Sequence, residues 1–550
     1  MRRTYLLVWS SSLAAASLAQ GTPTALRSDI TVEHYMDVRT SVTRMAHDAL
    51  DDRLWYLRTS GEVLLVVDDG ISPPYDTVQF TVADHDIDQT FGIAFHDSDL
   101  FLIGNQITGN NTQGLLKRAR LQPDGTRIWS TVAITGTYAW GGKGHAFNNV
   151  VVSPDAEWLY LNCGSRTDHG EVQDVDGEFP GRREDPITAK ILRIPYDAVD
   201  LLLPNDEALL IANDQLFASG VRNTYDMAFD AEDRLFGVEN SGDHDDPEEM
   251  NWLREGHHYG FPWTAGGNMN PTPTAGYDPT ADPLLNPGYP AAATDFYYDA
   301  DFPSPPNIVF TEPILNNGPD ADRLRAPSNG GILDASEEGL GIRTFTCHRS
   351  PLGLVIDRHG VLDGDLHEAA FALSFTPGGD TTGFSPIAPW GIPVVPADPS
   401  EDLLQLDLNY DAGSDNFNLN ATRIVSGFYL PVDAELVNNV LYVIENWGNT
   451  QRSMWKVTLP LTSDVKDVNS QTSDRLKAWP MPSQDVIYWS YAGKGVERVE
   501  LLDASGRTIR TLDAALPHGT FTVADIPAGL YLMRATGVGS PAQRTIMVVH

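Results

Sequence analysis

Short apolar strands that follow aspartate-containing turns recur along most of this sequence. Each copy joins such a turn to a strand rich in Leu, Tyr, Phe and Val, which is the pattern of β-structure. The copies begin at Leu50, Phe95, Ser153, Phe229, Asp357 and Val437. Because a small sheet cannot bury both of its faces alone, repeats of this kind close into a ring. The pattern predicts an all-β chain in which residues 25–460 form a six-bladed β-propeller, with the fifth copy the least regular.

A different pattern begins after the last repeat. The repeats stop near Leu459, and a polar linker is predicted at residues 461–475. Beyond it, a D-x-x-G sequence at Asp503 lies between apolar runs and predicts a tight hairpin, while the alternation from Tyr531 to Thr536 fits a half-buried strand. These features predict that residues 476–550 form a small Ig-like β-sandwich.

Charge narrows the range of partners. Asp and Glu number 75 against 37 Lys and Arg, which gives a formal net charge of -38 over 550 residues. An acidic surface of this kind repels phosphate backbones, so we expect no nucleic-acid partner.

The N-terminus carries the features of an export signal. Arg2 and Arg3 precede an apolar run from Tyr5 to Leu18, and Ser17-Leu18-Ala19 is a small-x-small cleavage site. This arrangement predicts a signal peptide at residues 1–19 and a product that is secreted or held at the cell surface after passing through the periplasm. This run is too short to span a membrane, and no other segment reaches about 18 uninterrupted apolar residues, so no transmembrane span is expected.

Cysteines and sequence motifs exclude several chemistries. The only cysteines are Cys163 and Cys347, for which two buried thiols are favoured over one disulfide bridge. Phosphate-loop, nucleophile-elbow and paired C-x-x-C motifs are missing, and His367-Glu368 lacks a second zinc-binding His because Phe371 occupies that position. Metalloprotease and serine-hydrolase functions therefore lack their ligands or nucleophile.

One continuous segment carries the strongest functional signal. Residues 217–263 read FASGVRNTYDMAFDAEDRLFGVENSGDHDDPEEMNWLREGHHYGFPW, with G-x-R-N, D-x-x-x-L-x-x-x-E-N, an acidic turn, E-x-N and Y-G-x-P in that order. This order resembles the soluble quinoprotein glucose/sorbosone dehydrogenase family, over roughly residues 30–460 and most clearly over 144–263. The resemblance implies a β-propeller that oxidises sugars with pyrroloquinoline quinone (PQQ) and Ca²⁺.

The resemblance also implies which residues act. His145, in an H-x-x-x-x-x-x-x-x-P-D sequence, is similar to the family's catalytic base, and an imidazole can take a proton near neutrality. Arg222 would polarise the quinone, since a guanidinium can stabilise charge that grows during reduction. Gln89, Asn223 and Asn240 would contact the cofactor together with these two residues. The alternatives are a strand-end His bonded to a nearby loop and an Arg that ties blades together through backbone carbonyls.

Two acidic loops are candidates for metal binding. The loop of residues 241–251 corresponds to the family's calcium turn, with Gly242 and Asp243 aligned to its ligand positions, although Asp243 replaces the family's Pro. A second acidic loop begins at Asp168. In so acidic a chain, the alternative for both loops is solvated surface.

The chain departs from the family late in the sequence. Where the family places basic residues that hold the quinone carboxylates, this chain has Phe428, Tyr429 and Pro431. His348 and Arg349 are possible substitutes.

The C-terminal segment has its own resemblance. Its Pro-x-Pro opening, its D-x-x-G-R hairpin and its P-x-G-x-Y-x-x-R strand are similar to the sorting domains of the type IX secretion system. An ordinary β-sandwich accessory domain is the alternative. The resemblance implies that the secretion machinery is a partner of residues 476–550.

These observations give three functional hypotheses. The first is an exported oxidoreductase that oxidises an aldose, sugar aldehyde or polyol with PQQ and passes the electrons to an external acceptor. None of the side chains accepts hydride, so this function requires a cofactor. The second is a non-catalytic propeller that binds glycan or protein on its insertion-rich face. The third is a calcium-dependent sugar lactone hydrolase.

Overall fold

The protein divides into two compact units, Met1–Leu461 and Thr462–His550. The computed structural model describes residues 22–141, 144–145, 147–285, 294–321, 323–325, 331–376, 400–446, 452–461, 476–479, 486–491, 496–503, 507–513, 518–537 and 542–548. The signal peptide predicted at 1–19 and residues 462–475 of the predicted linker lie outside this part of the chain.

Strands provide nearly all of the regular structure in the first unit. In chain order they are β1 (Thr24–Ala25), β2 (Thr31–Val38), β3 (Val42–Asp48), β4 (Arg53–Arg58), β5 (Val63–Val67), β6 (Tyr75–Phe80), β7 (Gln89–His96), β8 (Asp99–Thr108), β9 (Asn111–Leu121), β10 (Arg127–Thr135), β11 (Tyr138–Ala139), β12 (Phe147–Val152), β13 (Trp158–Cys163), β14 (Lys190–Pro195), β15 (Leu201–Leu203), β16 (Leu216–Ser219), β17 (Thr224–Phe229), β18 (Leu235–Glu239), β19 (Glu249–Leu253), β20 (Thr264–Ala265), β21 (Asn268–Met269), β22 (Leu315–Asn316), β23 (Arg323–Arg325), β24 (Ile332–Asp334), β25 (Pro351–Ile356), β26 (Ala370–Ser374), β27 (Asp402–Asp411), β28 (Asn416–Ser426), β29 (Pro431–Val437), β30 (Val440–Glu445) and β31 (Arg452–Thr458). The short helices are α1 (Val82–His85) and α2 (Glu207–Ala212), and 3-10 turns occupy Pro279–Ala281 and Gly364–Leu366. No helix among the described residues is both long enough and apolar enough to cross a lipid bilayer.

These strands form six blades, as the repeats predict. Blade 1 is β3 to β6, blade 2 is β7 to β10 with β11 and β15, and blade 3 is β12, β13, β14 and β16. Blade 4 is β17 to β19, blade 5 is β25 to β28 with β1 and β22, and blade 6 is β29 to β31 with β2. The innermost strands β3, β7, β12, β17, β25 and β29 each contact the next one, and β29 returns to contact β3. The six-bladed propeller is therefore confirmed, and its ring is closed.

Each repeat copy forms the turn between the first and second strands of a blade. Asp52, Asp97, Asp233 and Asn438 in these turns have positive φ, between 48° and 64°. Asp and Asn tolerate this left-handed conformation because their short polar side chains can bond to the nearby backbone. In blade 5 the connection is longer, from residue 357 to residue 369, and contains a 3-10 turn, which explains why that copy is irregular.

The N-terminal part of the chain completes the last blade. Strand β2 pairs antiparallel with β31, with Thr31 opposite Thr458 and Val38 opposite Arg452. The two ends of the propeller sequence are thus held together by backbone hydrogen bonds.

Apolar cores fill the spaces between neighbouring blades. Leu100 of blade 2 packs with Leu57 of blade 1, Phe147 of blade 3 with Phe101 of blade 2, and Leu441 of blade 6 with Leu403 of blade 5. Similar clusters join blades 3 and 4, 4 and 5, and 6 and 1. Since burying one large aliphatic or aromatic side chain is worth about 1.5–3 kcal/mol, these interblade cores are the main source of the propeller's stability.

The second unit is a β-sandwich, as predicted. Its strands are β32 (Leu476–Trp479), β33 (Val486–Tyr491), β34 (Val496–Leu502), β35 (Thr508–Asp513), β36 (His518–Thr522), β37 (Gly529–Gly537) and β38 (Ala542–Val548). One sheet has the order β32-β33-β36 and the other β35-β34-β37-β38, around a core that includes Trp489, Phe521 and Met533. Strands β34 and β35 pair antiparallel as predicted, and burial alternates from Leu532 to Thr536 in β37, within the segment expected to be a half-buried strand.

Candidate active site

The candidate residues lie where the innermost strands of neighbouring blades begin. Gln89 is the first residue of β7, His145 lies two residues before β12, and Arg222 lies two residues before β17. The loops that connect the blades at these points place polar side chains together at one end of the ring.

His145 is held by the loop that follows β13. Its backbone N–H donates to the Ser165 carbonyl at 3.0 Å, and its Nδ1 lies 3.1 Å from Ser165 Oγ and 3.2 Å from the Ser165 carbonyl. The Ser165 hydroxyl donates its own proton to the Thr167 carbonyl at 2.8 Å. Both groups facing Nδ1 are therefore acceptors, so Nδ1 carries the proton and Nε2 is the basic nitrogen.

A glycine lets His145 approach Arg222 and Asn223. At Gly164, a Cβ would lie 2.5 Å from the Cβ of His145, 3.2 Å from Asn223 Oδ1 and 3.4 Å from the Arg222 carbonyl oxygen. The next residue, Ser165, donates its backbone N–H to the Arg222 carbonyl at 2.6 Å. Residues 77 positions apart in the sequence are thus brought side by side by one tight turn.

Arg222 is nearly saturated with protein contacts. Its Nε donates to the Asp168 carbonyl at 2.8 Å and one Nη2 proton goes to Asp168 Oδ1 at 2.9 Å. Its Nη1 donates to the Asn240 carbonyl at 3.0 Å and to Asn240 Oδ1 at 2.8 Å. A guanidinium has five N–H groups, so one remains without a partner among the described residues. Arg222 therefore ties blade 3 to blade 4 and still has one donor for a ligand.

Asparagine side chains connect the candidates across three blades. Asn162 Nδ2 donates to Asn148 Oδ1 and Asn148 Nδ2 donates to Asn223 Oδ1, both at 2.8 Å. Asn223 Nδ2 donates to Asn240 Oδ1 at 3.3 Å, and Asn240 Nδ2 donates to Ser350 Oγ at 3.3 Å. This chain fixes the amide groups of Asn223 and Asn240 beside Arg222, at the place where blades 3, 4 and 5 meet.

Gln89 is connected to the other candidates indirectly. It pairs in register with Asn105 of β8, and the Asn105 side chain bonds both the N–H and the carbonyl of Phe147, at 3.1 Å and 2.8 Å. Gln89 is half-buried and lies at the same end of its blade as His145.

Asp168 has a role that its sequence context does not reveal. This carboxylate is only 2% exposed, binds Arg222 with one oxygen, and accepts the backbone N–H of Asp243 on the other at 3.1 Å. The loop it begins is not solvated surface, because Glu171 accepts the backbone N–H groups of Asp168 and His169 while Glu184 accepts those of Arg166 and Thr167. In this irregular segment, the carboxylates accept the backbone N–H groups that a regular strand would pair with backbone carbonyls. Because the whole chain is rich in acidic residues, the sequence does not distinguish these buried carboxylates from exposed ones.

The loop of residues 241–251 is also packed against the protein. A Cβ at Gly242 would meet Asp168 Oδ2 at 2.7 Å, so this turn lies against the Asp168 carboxylate. His244 contacts Asp246 at 2.8 Å and Asp282 at 3.2 Å, and these carboxylates overcome the effect of burial and raise the pKa of the His244 ring to about 10. Gly242 and Asp243 thus face the Asp168 carboxylate, a hard oxygen donor of the kind that Ca²⁺ prefers.

Buried carboxyl groups accept hydrogen bonds from residues of the candidate site. Glu239 accepts the backbone N–H of Arg222 at 2.9 Å and the Thr224 hydroxyl at 3.1 Å. Burial raises the pKa of Glu239 well above its usual value, and the neighbouring Glu249 carboxyl raises it further. Burial also raises the pKa of Glu249 above its usual value.

Glu248 is a further buried acid at this end of the ring. Burial raises its pKa to about 7, an effect that the neighbouring His348 ring and backbone donors from Ser350 and Ser241 oppose. A cavity of about 10 Å³, enough for one water molecule, is lined by Arg222, Asn240 and Ser241 among others.

The late part of the chain supplies a cation that the sequence analysis did not identify. Phe428 and Pro431 are buried, and Arg349 is buried in ion pairs with Asp320 at 3.1 Å and Asp402 at 3.5 Å, so it is not positioned to replace the family's late basic residues. The Arg452 guanidinium lies over the Tyr429 ring, 4.2 Å from its centroid. Because β29, β30 and β31 run antiparallel, Arg452 at the start of β31 lies at the same end as the start of β29, which is the candidate-site end. The sequence does not mark Arg452 as a site residue, because it follows the last repeat and reaches the candidate-site end only through the pairing of the strands.

The two cysteines are buried thiols that form no disulfide with each other, as expected. Cys163 lies in β13, and Cys347 lies in the loop before β25, beside His348.

Part of the chain matches a known protein family. A family model for glucose/sorbosone dehydrogenases matches residues 50–311, which is slightly under half of the chain. No curated protein is a significant match to the sequence.

The solved structures to which this chain is similar include several sugar dehydrogenases. A glucose dehydrogenase has 13% identity and a TM-score of 0.47, with 78% of this chain and 100% of that chain covered. The apo-form of the soluble aldose sugar dehydrogenase from Escherichia coli has 12% identity and a TM-score of 0.45, with 78% and 99% covered. The PQQ-bound form of an aldose sugar dehydrogenase from Streptomyces coelicolor has 14% identity and a TM-score of 0.41, with 79% and 99% covered.

The matched region contains each of the candidate site residues predicted from the sequence: Gln89, His145, Arg222, Asn223, Asn240, Gly242 and Asp243. The family model therefore supports, at the level of the family, a sugar-oxidising oxidoreductase of the glucose/sorbosone dehydrogenase type.

Proposed function

We propose that this protein oxidises an aldose, sugar aldehyde or polyol with a bound quinone, PQQ, in the manner of glucose/sorbosone dehydrogenases. The observation that carries the proposal is that His145 and the backbone of Arg222 both pack against the turn formed by Gly164 and Ser165. This turn brings a proton acceptor and a fixed cation into one group of loops, and these are the two protein groups that alcohol oxidation requires.

The residues present suit a quinone at this position. One N–H of Arg222 and the amide groups of Asn223 and Asn240 would hold its oxygens, with Gln89 at the edge. When bound, the quinone would supply the hydride acceptor that the side chains lack. Arg452 is a candidate for holding an outlying carboxylate of the cofactor.

Side chains of the protein would accept the substrate proton and hold the cation in place. His145 would take the substrate hydroxyl proton on Nε2, because Ser165 holds the ring in the tautomer with Nδ1 protonated. Asp168 would keep the Arg222 side chain in one orientation, so that its available N–H points in a constant direction. Fixed donors of this kind lower the cost of charge that develops in the transition state.

The Gly242–Asp243 turn is the proposed calcium position. Backbone carbonyls of the turn and the Asp168 carboxylate are the oxygen donors that it offers. Calcium would then neutralise part of the negative charge that Asp168 and Asp243 place near the site.

A dye-reduction assay tests the proposed activity. Purified full-length protein, mixed with PQQ and Ca²⁺, is expected to reduce an artificial electron acceptor with at least one member of a panel of aldoses and polyols. His145→Asn should lower kcat by about 10²–10⁴-fold, as expected for loss of a general base. His96→Asn, a histidine at the other end of β7, is the matched control and should keep full activity. Failure of the wild-type protein with the entire panel would overturn the proposal.

A non-catalytic propeller is the second candidate. It is favoured by the contacts of Arg222, most of whose donors are bound by Asp168 and Asn240, and by the small volume of the adjoining cavity. This candidate predicts measurable heat of sugar or glycan binding without PQQ and no change in the visible spectrum when PQQ is added.

We also propose that the protein is exported in two steps. Residues 1–19 would direct the chain to the periplasm, and residues 476–550 would then serve as the sorting signal for secretion to the surface or medium. In a host with a type IX system, deleting residues 462–550 should leave the propeller in the periplasm. Normal secretion of that truncated chain would contradict the sorting role.

A further inference from the structure

Three metal-ligating side chains meet in a buried cluster next to the candidate active site. The carboxylate of Asp245, the thiol of Cys347 and the imidazole of His348 each present a ligand atom, and these atoms all lie within 4.8 Å of one another. Asp245 is 3% exposed and Cys347 is 4% exposed. His348 Nε2 lies 2.7 Å from Asp245 Oδ1.

The surrounding structure holds this cluster in place. Glu248 and Phe345 exchange backbone hydrogen bonds at 3.0 Å and 2.9 Å, which joins the loop that carries Asp245 to the segment that carries Cys347 and His348. His348 adopts a left-handed backbone conformation with φ of 62°. Arg349 follows it and is anchored by Asp320 and Asp402. A ligand set between two anchored segments needs little reorganisation to bind an ion.

A second observation points to a ligand at this place. Glu248 is buried, and its Oε2 has no hydrogen-bond partner among the described residues. This carboxyl neighbours His348. A buried carboxyl oxygen without a partner is costly unless something else, such as a cation or its bound water, satisfies it.

We propose that Asp245, Cys347 and His348 bind a transition-metal ion of the zinc class, with Glu248 facing the remaining coordination position. Thiolate and imidazole are ligands that Zn²⁺ accepts and Ca²⁺ does not, so this site differs in chemistry from the calcium turn at Gly242 and Asp243. Three protein ligands leave a position open for water.

The binding step is balanced by proton release. The thiol of Cys347 loses its proton to become the thiolate that binds the ion, and the proton shared by His348 and Asp245 also leaves. With metal–ligand distances of about 2.0–2.1 Å, tetrahedral geometry requires His348 Nε2 and Asp245 Oδ1 to stand about 3.3 Å apart, so the pair opens by roughly half an ångström.

Cobalt provides a direct probe of the thiolate. Full-length protein is treated with a chelator and titrated with Co²⁺, which is expected to bind at one ion per chain and to give both thiolate-to-cobalt charge-transfer absorption and the bands of a tetrahedral ion. Zn²⁺ should abolish this spectrum by competition, whereas an excess of Ca²⁺ should leave it unchanged. Absence of the charge-transfer band, or displacement of cobalt by Ca²⁺, would overturn the proposal.

The second cysteine supplies the matched control. Cys347→Ser, His348→Asn and Asp245→Asn should each weaken metal binding by at least about tenfold. Cys163→Ser alters an equally buried thiol that belongs to no such cluster among the described residues, and it should keep the full cobalt spectrum. Equal loss in both cysteine variants would overturn the assignment.

Two further measurements distinguish loss of metal binding from loss of folding. Circular dichroism of each variant shows whether the propeller is intact, and zinc analysis of the wild-type protein after gel filtration gives the stoichiometry without any substitution. A wild-type ratio far below one ion per chain after reloading with zinc would contradict the site, even if the variants unfold. The site is independent of the proposed sugar oxidation, because neither measurement uses PQQ or a sugar.

Discussion

Arg44 and Arg222 are two buried arginines at the centre of the propeller with different surroundings. Arg44, in β3, lies 3.1 Å from Asp226 Oδ1 and 3.6 Å from Asp433 Oδ1, and its guanidinium stacks over the Tyr225 ring at 4.2 Å. Arg222 has a single carboxylate partner, Asp168, and otherwise donates to carbonyl and amide oxygens.

The partners explain what each arginine does. Asp226 and Asp433 also accept backbone N–H groups, from Leu354 at 2.8 Å and Met45 at 2.7 Å, so the Arg44 cluster joins β3, β17, β25 and β29. Arg222 joins only two neighbouring blades and keeps one N–H available. The Arg44 cluster therefore joins the innermost strands of the ring. The Arg222 cluster lies in the loops and is arranged to contact a ligand.

The largest expected effect is on stability. Arg44→Met leaves two buried carboxyl groups without their cation, and loss of one partner from a buried ion pair typically costs about 3–5 kcal/mol. Denaturant unfolding of the full-length chain measures the loss. Arg53→Met, at an exposed position in β4, is the control and should change the free energy of unfolding by less than about 0.5 kcal/mol. A small effect of Arg44→Met would break the distinction between the two arginines.

Arg222→Met should mainly affect activity. The substitution removes the donor proposed to contact the quinone, and loss of one such donor typically lowers kcat by about 10²–10³-fold. The free energy of unfolding should fall by less than in Arg44→Met, because only one carboxylate loses its partner. Dye reduction and denaturant unfolding of the same preparation give both values. If Arg222→Met were the more destabilising of the two, its role would be structural.

The pH dependence of stability tests the protonation of Asp433 in the Arg44 cluster. Burial raises the pKa of Asp433 to about 7, although Arg44 opposes the rise. A carboxyl group whose pKa is higher in the folded state binds more protons there, so its contribution to stability is complete below the unfolded pKa near 4 and is lost as the pH rises to about 7. The wild-type free energy of unfolding should therefore decrease across this window, by up to about 1.4 kcal/mol per pH unit. Asp433→Asn should have a flatter profile, and equal slopes would show that Asp433 is ionised throughout.

The smallest expected change concerns Gly164. Its alanine variant would place a methyl group 2.5 Å from the Cβ of His145 and 3.2 Å from Asn223 Oδ1. We expect a stability loss of about 1–3 kcal/mol from overpacking and a fall in activity as His145 shifts. Gly529→Ala, where the nearest atom to the new methyl group is 3.8 Å away, is the control. Unchanged activity in Gly164→Ala would show that the position of His145 is not critical.

Local features of the fold could be predicted from the sequence, and long-range ones could not. The turns were visible because Asp52, Asp97 and Asp233 satisfy a backbone requirement within their own segment. The Arg44 cluster was not visible, because Met45 and Asp433 lie 388 residues apart and nothing near Arg44 marks it as buried.

In the candidate site, too, local motifs could be predicted from the sequence and contacts between distant segments could not. His145 and Arg222 could be found because each lies in a recognisable motif. Asp168 was hidden by the acidity of its own loop, and the Asp245–His348 contact joins residues 103 positions apart that belong to different motifs. Burial of charge depends on which loops pack together, and an acidic composition makes exposed and buried carboxylates look alike in the sequence.

The pairing of β2 with β31 has a consequence for biosynthesis. Strand β2 is made within the first forty residues of the chain, yet its partner is complete only when the ribosome has reached Thr458. Until then β2 has no strand beside it, and a product that ends before Arg452 would also leave one edge of β30 uncovered. Open strand edges recruit other chains, so prematurely terminated forms of this protein should aggregate instead of persisting as smaller folded pieces.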